Sequence, residues 1–486
     1  MELSMGRLYR LLVGLITCNR ISKVGGYLAT FGAISGAVYL VMTLLSGAEN
    51  AYGGIIFLAV VPPAFFGGLL LVPLGLYFEF KRRCRQDPSL AEKSLGTILQ
   101  SLSGESDVRN RIITFVVFSG INVALTMIIF VASLDYLDSP SFCGQLCHSV
   151  MIPEFTAYER SPHARVPCVQ CHIGPGASWF VKSKIAGLRQ VYAIMAKTYN
   201  RPIPTPIEQL RPARDTCEQC HWPQKFNQDK LKIITHYRND RNNTKYYTAL
   251  LLKVGGPEAE GAKPTGIHWH VSGGNRVIYA SEKGERKDIP WIRLERDGQQ
   301  PVEYRFTGSN LSDAEIAALP RRTMDCVDCH NRPTHIYRPA DTELETMFAR
   351  FPELQSVPYL KKAASEVMER HFSDDAIEAG EVKRSLIAWF GANPEEKPDP
   401  RLLKLAADKV QEIYRQNVWP KMNIGWGTYP NHIGHTVSQG CLRCHGNNHV
   451  TAEGKAVRSD CRLCHTILAL EEEKPPLFDY MVHKEK

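Results

Sequence analysis

Histidine is absent from the first 147 residues of this 486-residue chain, and all sixteen histidines stand at or beyond position 148. A cofactor or metal held by histidine is therefore excluded from the amino-terminal part. Charge is absent from three runs in that same part, 24–48, 50–78 and 112–134. No small-x-small cleavage site follows the short apolar stretch LLVGLITC, so residues 1–23 read as a retained lead-in rather than a cleaved signal. No basic stripe with interleaved aromatics occurs, which sets nucleic acid aside. The net charge of +8 shrinks to 47 basic against 43 acidic residues beyond position 134. Unassigned cysteine is also scarce: of fourteen, only Cys18 and Cys84 fall outside a repeated pattern.

The uncharged runs are 25, 29 and 23 residues long, each above the roughly 20 needed for a helix to cross a hydrocarbon core. Three transmembrane helices are expected, at about 24–48, 50–78 and 112–134. Gly32 and Gly36 form a GxxxG pair, and Gly67/Gly68 lie in the second run, which favours close helix packing. Pro62 and Pro63 should kink or break the second helix. The 79–111 loop carries KRRCR, Lys93, Arg109 and Arg111, whereas 47–53 has no Lys or Arg. The positive-inside rule puts that loop and the amino terminus in the cytoplasm. Residue 135 onwards then lies on the outer face of the cytoplasmic (inner) membrane, the periplasmic side in a Gram-negative cell.

Twelve cysteines fall into six Cys-pair-His units: Cys143/Cys147/His148, Cys168/Cys171/His172, Cys217/Cys220/His221, Cys326/Cys329/His330, Cys441/Cys444/His445 and Cys461/Cys464/His465. A thiol pair followed directly by histidine is the signature of c-type haem attachment. The sulfurs bond the porphyrin vinyl groups and the imidazole becomes an axial iron ligand. Zinc would ask for closed sets of four ligands, with no need of a histidine after each pair. The first unit departs from the rest as CxxxCH. Six covalently bound haems c follow, and their propionates would outweigh the residual positive charge. Attachment of c-type haem takes place on the periplasmic face in bacteria, in agreement with the charge rule.

Residues 1–134 are the expected anchor and 135–229 carry the first three motifs. These crowd into so few residues that the haems themselves should serve as core. The segment ASWFVKSKIAGLRQVYAIMAKTYN has the period of an amphipathic helix lying near a membrane surface. Residues 230–325 are a β-rich insertion, in which LKIITHY, KYYTALLLKV, IHWHVS, RVIYAS, PWIRLE and VEYRF read as strands. Residues 326–340 hold the fourth motif and 341–430 read as a helical linker. The last two motifs, in 431–486, read as a dihaem module of their own followed by a surface tail.

Ten histidines remain once the six motif residues are assigned. His163, five residues before a motif, and His335, five after one, lead as distal ligands; His236, His435 and His449 follow. His268 and His270 alternate on the expected strand and so share a face, which leaves one of them, His270, as a ligand. His371 and His483 read as solvated, and the choice between His432 and His435 stays open on spacing alone. Met151, three residues past His148, is a candidate thioether ligand that would raise the first haem's potential.

CHSVM, SPHARVPCVQCHIGPGASWF, RPARDTCEQCHWP and CVDCHNRPTH resemble the NapC/NirT family of membrane-anchored multihaem quinol dehydrogenases, from the last span to about residue 335. YPNHIGH and GCLRCHGNNH resemble the larger inner-membrane cytochromes of metal-respiring bacteria. The resemblance implies oxidation of membrane quinol beside the first haem and delivery of electrons to periplasmic cytochromes or reductases. It also implies His435 rather than His432, and a pocket lysine matched here by Lys182 or Lys184. The family's pocket acid has no counterpart, since Arg189 stands near its place. Three spans, a CxxxCH motif and two extra haems depart from the family pattern. The expected fold class is a membrane-anchored multihaem cytochrome c: three transmembrane helices plus a mostly α, haem-cored periplasmic domain with a small β insertion. A terminal oxyanion reductase would advertise an open iron with a motif such as CxxCK, and none occurs. An electron-transfer subunit of a larger complex, with quinol oxidised by a partner, stays open at the level of sequence.

Overall fold

The computed structural model describes residues 19–46, 51–86, 136, 138–146, 148–174, 185–187, 189–190, 192–206, 212–222, 228–255, 265–282 and 286–483. They fall into two units, Met1–His148 and Ser149–Lys486. The expected third span, 112–134, and most of the 79–111 loop lie outside the described residues.

In the first unit α1 (Arg20–Ser46) packs along α2 (Ala51–Gln86). The Asn19 carboxamide accepts from the Ser22 N–H at 2.8 Å and donates to the Gly75 carbonyl at 2.6 Å. The Ser22 hydroxyl donates to Val72 O at 3.1 Å. These bonds clasp the start of α1 to α2, and glycine sets the approach along the rest. A Cβ on Gly25 would stand 2.7 Å from Gly68 O, one on Gly68 2.4 Å from Ala29 N, and one on Gly32 2.6 Å from Phe65 Cβ. The seam is therefore Gly25 and Gly32 against Gly68, rather than the expected Gly32/Gly36 pair. Gly67 meets nothing within 4 Å. Contrary to expectation, α2 is not broken at Pro62 and Pro63 and also runs through Pro73. Each proline forfeits one backbone bond, and a helix braced by a neighbour keeps its course. Among the described residues, Val61–Gln86 is long and apolar enough to cross a membrane.

The second unit is built from two antiparallel sheets and a helical bundle. Helix α3 (His148–Glu159) starts at the first motif. Its Val150 and Ala157 pack with Tyr337, Met422, Ile424 and Tyr429. Strands β1 (Asp229–Tyr237) and β2 (Lys245–Lys253) pair with Ile233 opposite Ala249. Strands β3 (Asn275–Ala280), β4 (Trp291–Arg296) and β5 (Val302–Phe306) form a second ladder. After α4 (Asp313–Ala318), β6 (Arg321–Thr323) joins the free edge of β3. IHWHVS is no strand: residues Ile267–Val271 form a 3-10 turn. Gly266 leads into it with φ of 74°, close enough to the chain that a Cβ would lie 2.5 Å from Lys253 O. The backbone turns there instead of running on.

Residues 341–430 are more than a linker. Helices α5 (Ala340–Arg350), α6 (Leu360–Met368), α7 (Asp374–Glu378), α8 (Glu381–Ala392) and α9 (Pro400–Asn417) enclose a large apolar core. Leu344, Phe348, Leu354, Leu360, Val367, Leu386 and Val410 are fully buried in it. Helix α9 shows how the sequence arranges this. Asp399 caps it, Pro400 opens it, and Ala406, Val410, Ile413 and Tyr414 recur at helical spacing on the buried side. Asn243, in the turn between β1 and β2, ties the sheet to the bundle. Its side chain donates to Val357 O at 2.7 Å and accepts from the Lys361 N–H at 2.8 Å. It thereby satisfies the first turn of α6, which lacks a side-chain cap of its own.

The carboxy-terminal part does not stand alone. Strand β7 (His449–Val450) pairs with β5, giving the order β6-β3-β4-β5-β7. Strand β8 (His465–Glu472) pairs with β2, giving β1-β2-β8. Helix α10 (Pro476–His483) sets Phe478 edge-on to Tyr247, ring centres 4.7 Å apart. A free-standing module and a surface tail were expected. Instead, edge strands of the insertion recruit the end of the chain, because unpaired backbone groups at a sheet edge need partners.

Candidate haem sites

Most of the attachment motifs sit on single helical or 3-10 turns, among them Cys168–His172, Cys326–Cys329, Leu442–His445 and Cys461–Leu463. Such a turn puts residues three and four apart on one side, so both thiols and the following imidazole face the same way. At the fourth motif Asp325 accepts from the Cys326 N–H at 2.7 Å while Asp328 accepts from the Asp325 N–H at 2.6 Å. Asp328 is buried and also receives Tyr279 Oη at 2.6 Å, Arg322 Nε at 2.8 Å and Arg286 Nη1 at 3.0 Å. That cluster welds the motif to β3 and β6. The thiols of the third to sixth motifs form no disulfide.

Five motif histidines each face a second histidine. His221 faces His163 with ring centres 5.9 Å apart, and His172 faces His335 at 6.2 Å. His330 faces His268 at 6.4 Å, His445 faces His270 at 5.7 Å and His465 faces His435 at 6.1 Å. Two imidazoles on one iron, with metal–nitrogen bonds of about 2 Å, put their ring centres about 6.2 Å apart. The planes differ widely, from 1° for His268/His330 to 88° for His270/His445.

The facing partners are also oriented for ligation. Nδ1 of His163 contacts Pro333 O at 3.1 Å, that of His335 contacts Glu154 O at 2.9 Å, and that of His268 contacts Val254 O at 3.1 Å. His270 Nδ1 contacts Ile267 O at 2.8 Å and His445 Nδ1 contacts Arg458 O at 2.6 Å. A carbonyl on Nδ1 fixes the tautomer and leaves Nε2 with its lone pair for a metal. Desolvation lowers the pKa of His172, His270 and His330, which keeps them neutral, the form that binds.

Other expected ligands are differently engaged. His236 Nδ1 meets Glu345 Oε1 at 2.8 Å and its ring stacks on Tyr246, 5.0 Å away. His449 is buried and spends Nε2 on Ile289 O at 2.7 Å. His432 is buried too, with Nδ1 3.3 Å from Asp328 O. His371 is exposed. Neither His236 nor His449 faces a motif histidine. Both His268 and His270 do, where only one was expected. On a 3-10 turn of three residues per revolution, side chains two apart diverge instead of sharing a face. The Pro-Thr-Gly that precedes IHWH was the available signal for a turn. Met151 lies on α3, half-buried. Of the first motif, Cys143 lies in the short π-helical stretch Phe142–Leu146, and His148 is described by its backbone at the start of α3. Cys147, Lys182 and Lys184 lie outside the described residues.

Residues 106–206 match the NapC/NirT cytochrome c family, N-terminal region. The chain is 38% identical over 461 residues to the cytochrome c-type protein ImcH of Geobacter sulfurreducens, covering 94% of this chain and 89% of that protein. This chain belongs to the NapC/NirT cytochrome c family. No solved structure matches it. It is thus a membrane-anchored multihaem cytochrome c, and haem c is its covalently bound cofactor.

The residues of this NapC/NirT cytochrome fit that group. Apolar side chains stand exposed beside the facing histidines: Trp222 next to His221, Ile433 and Val437 about His435, Leu442 within the fifth motif, and Ile467 past His465. A macrocycle would cover them. Among the described residues no three His, Cys, Asp or Glu side chains converge as a bare metal site.

The motifs also adjoin one another in sequence order. Burial, then the thiols of Cys217, Cys168 and Cys220, push the Cys171 thiol up, which brings the second motif to the third. Cys217 and Cys326 share a hydrogen bond, bringing the third to the fourth. Arg443 in the fifth motif donates to the Asp328 carbonyl of the fourth at 2.7 Å. Burial, then Cys441 and Cys461, push the Cys464 thiol up, which brings the fifth to the sixth.

Proposed function

We propose that this cytochrome oxidises membrane quinol and passes the electrons to periplasmic cytochromes or reductases, using six covalently attached haems. In this reading His163, His335, His268, His270 and His435 are the distal ligands of the third, second, fourth, fifth and sixth haems. The first haem, with His148 and Met151 as candidate ligands, lies next to the membrane anchor. Bound haem would supply reversible one-electron ferric/ferrous chemistry. The chain's own part is to hold ten imidazoles in facing pairs and to keep the five attachment turns adjacent in order. That sequential adjacency of the second to sixth motifs is the observation that carries the reading, since a relay needs an unbroken file of centres.

Lys182 and Lys184 are placed in the quinol pocket by the family resemblance. An ammonium there would hydrogen-bond a quinol oxygen and stabilise negative charge as protons leave. The basic 79–111 loop puts the haem-bearing part on the periplasmic side of a multi-pass anchor. The test is reduction of the purified chain by a reduced quinol analogue, followed by haem absorbance. Rapid reduction supports the reading. Reduction by dithionite but not by quinol would make this chain an electron-transfer subunit of a larger respiratory complex. Intact mass gives the haem count, and five haems in place of six would point to the CxxxCH motif.

A further inference from the structure

The charged pair Glu154–Arg332 touches a haem ligand and no other function absorbs it. Glu154, on α3, is 8% exposed, and Arg332, two residues past the fourth motif, is 7% exposed. Arg332 Nη2 reaches both carboxylate oxygens at 3.0 Å. Its guanidinium lies over Tyr429 at 4.2 Å and Tyr337 at 5.0 Å, which spreads the positive charge against aromatic faces. The same carboxylate turns Oε2 to His335 Nδ1 at 3.2 Å, while that nitrogen donates to the Glu154 backbone carbonyl at 2.9 Å. Both negative ends of one residue therefore converge on one imidazole nitrogen. Arg332 approaches His335 only from the backbone side, donating from Nε to its carbonyl at 2.5 Å.

Burying two charges is no route to stability by itself, since an apolar pair of equal volume commonly serves as well. The arrangement has an electrostatic consequence instead. Oxidation of a ferrous centre adds one positive charge at the metal. A fixed carboxylate against the ligand's outer nitrogen, in a poorly screened interior, stabilises that charge and makes the imidazole a stronger donor. We infer that Glu154 is a positioning residue that lowers the reduction potential of the centre held by His172 and His335, with Arg332 holding its carboxylate in place and partly offsetting it. This rests on the reading of His172 and His335 as a ligand pair.

The test is a redox titration of the intact cytochrome in detergent, monitored by electron paramagnetic resonance, with the haem content of each variant checked by intact mass. Glu154→Gln keeps the shape and the backbone carbonyl but removes the charge. One of the haem components should become at least tenfold more reduced at a fixed solution potential, equivalent to about 59 mV for a one-electron couple. Arg332→Gln should move the same component the opposite way, and the double variant should return it towards the parent value. A merely structural role would move both single variants alike, and that result, or unchanged midpoints with full haem content, overturns the proposal. If Glu154→Gln does not fold, Arg332→Gln and the double variant still decide the sign. A His335→Ala control separates the two readings. Should it leave every low-spin signal intact, the ligand assignment fails rather than the tuning.

Discussion

His268 and His270 are best tested one at a time, because the 3-10 turn Ile267–Val271 carries both towards different motif histidines. His268→Ala should leave the fourth haem, and His270→Ala the fifth, with a single axial histidine. In a protein with six haems each variant converts about one sixth of the low-spin intensity to high spin. The geometry also says which signal disappears. The His268 and His330 planes lie 1° apart, so both rings act on the same iron d orbital and the ferric signal is rhombic. The His270 and His445 planes lie 88° apart, so the rings act on two orbitals alike and the signal is near-axial with a large principal g value. Low-temperature paramagnetic resonance of the oxidised protein should therefore lose a rhombic component in His268→Ala and a near-axial one in His270→Ala. Intact mass should still count all haems in both, since attachment depends on the thiols. The reasoning is refuted if either variant retains the parent spectrum, or if both lose the same component.

Asp328→Ala should destabilise the second unit by about 3 kcal/mol, read by denaturant unfolding, because it leaves Arg286 and Arg322 without their shared buried counter-ion. Gly68→Val should lower the thermal stability of the detergent-solubilised protein, since its side chain would collide with Ala29 of α1, while Gly67→Ala, which meets open space, should not. Lys182→Ala combined with Lys184→Ala should slow reduction by quinol and leave reduction by dithionite at the parent rate; equal quinol rates would remove both lysines from the pocket. Cys84, in the basic segment after the second run, should react with a membrane-impermeant thiol reagent only after the cells are opened, and labelling of intact spheroplasts would reverse the orientation.

What the sequence by itself determined is the chemistry that depends on neighbours along the chain. A thiol pair and an imidazole within five residues need only one helical turn to act together, so the attachment motifs were legible as they stand. So were the uncharged runs, most of the strands and the amphipathic helices, whose signals are local periodicities. His163, His335 and His435 stood out by their closeness to motifs, and each faces a motif histidine. Which motif each one faces was not legible: His163 lies just before the second motif yet faces His221 of the third, and His335 follows the fourth yet faces His172 of the second.

The tertiary structure decided everything that depends on long-range return of the chain. His236 and His449 looked as eligible as the others, but a carboxylate from α5 and a carbonyl from before β4 claim their nitrogens. His268 and His270 separate because Gly266 and the crossing chain at Lys253 impose a turn on a stretch whose composition favours a strand. Likewise β7 and β8 leave the last two motifs no independence, since the edges they complete belong to strands nearly two hundred residues earlier. Local propensity carries no information about which distant edge lacks a partner, and that is why the ligand map and the place of the carboxy-terminal motifs emerge only with the fold.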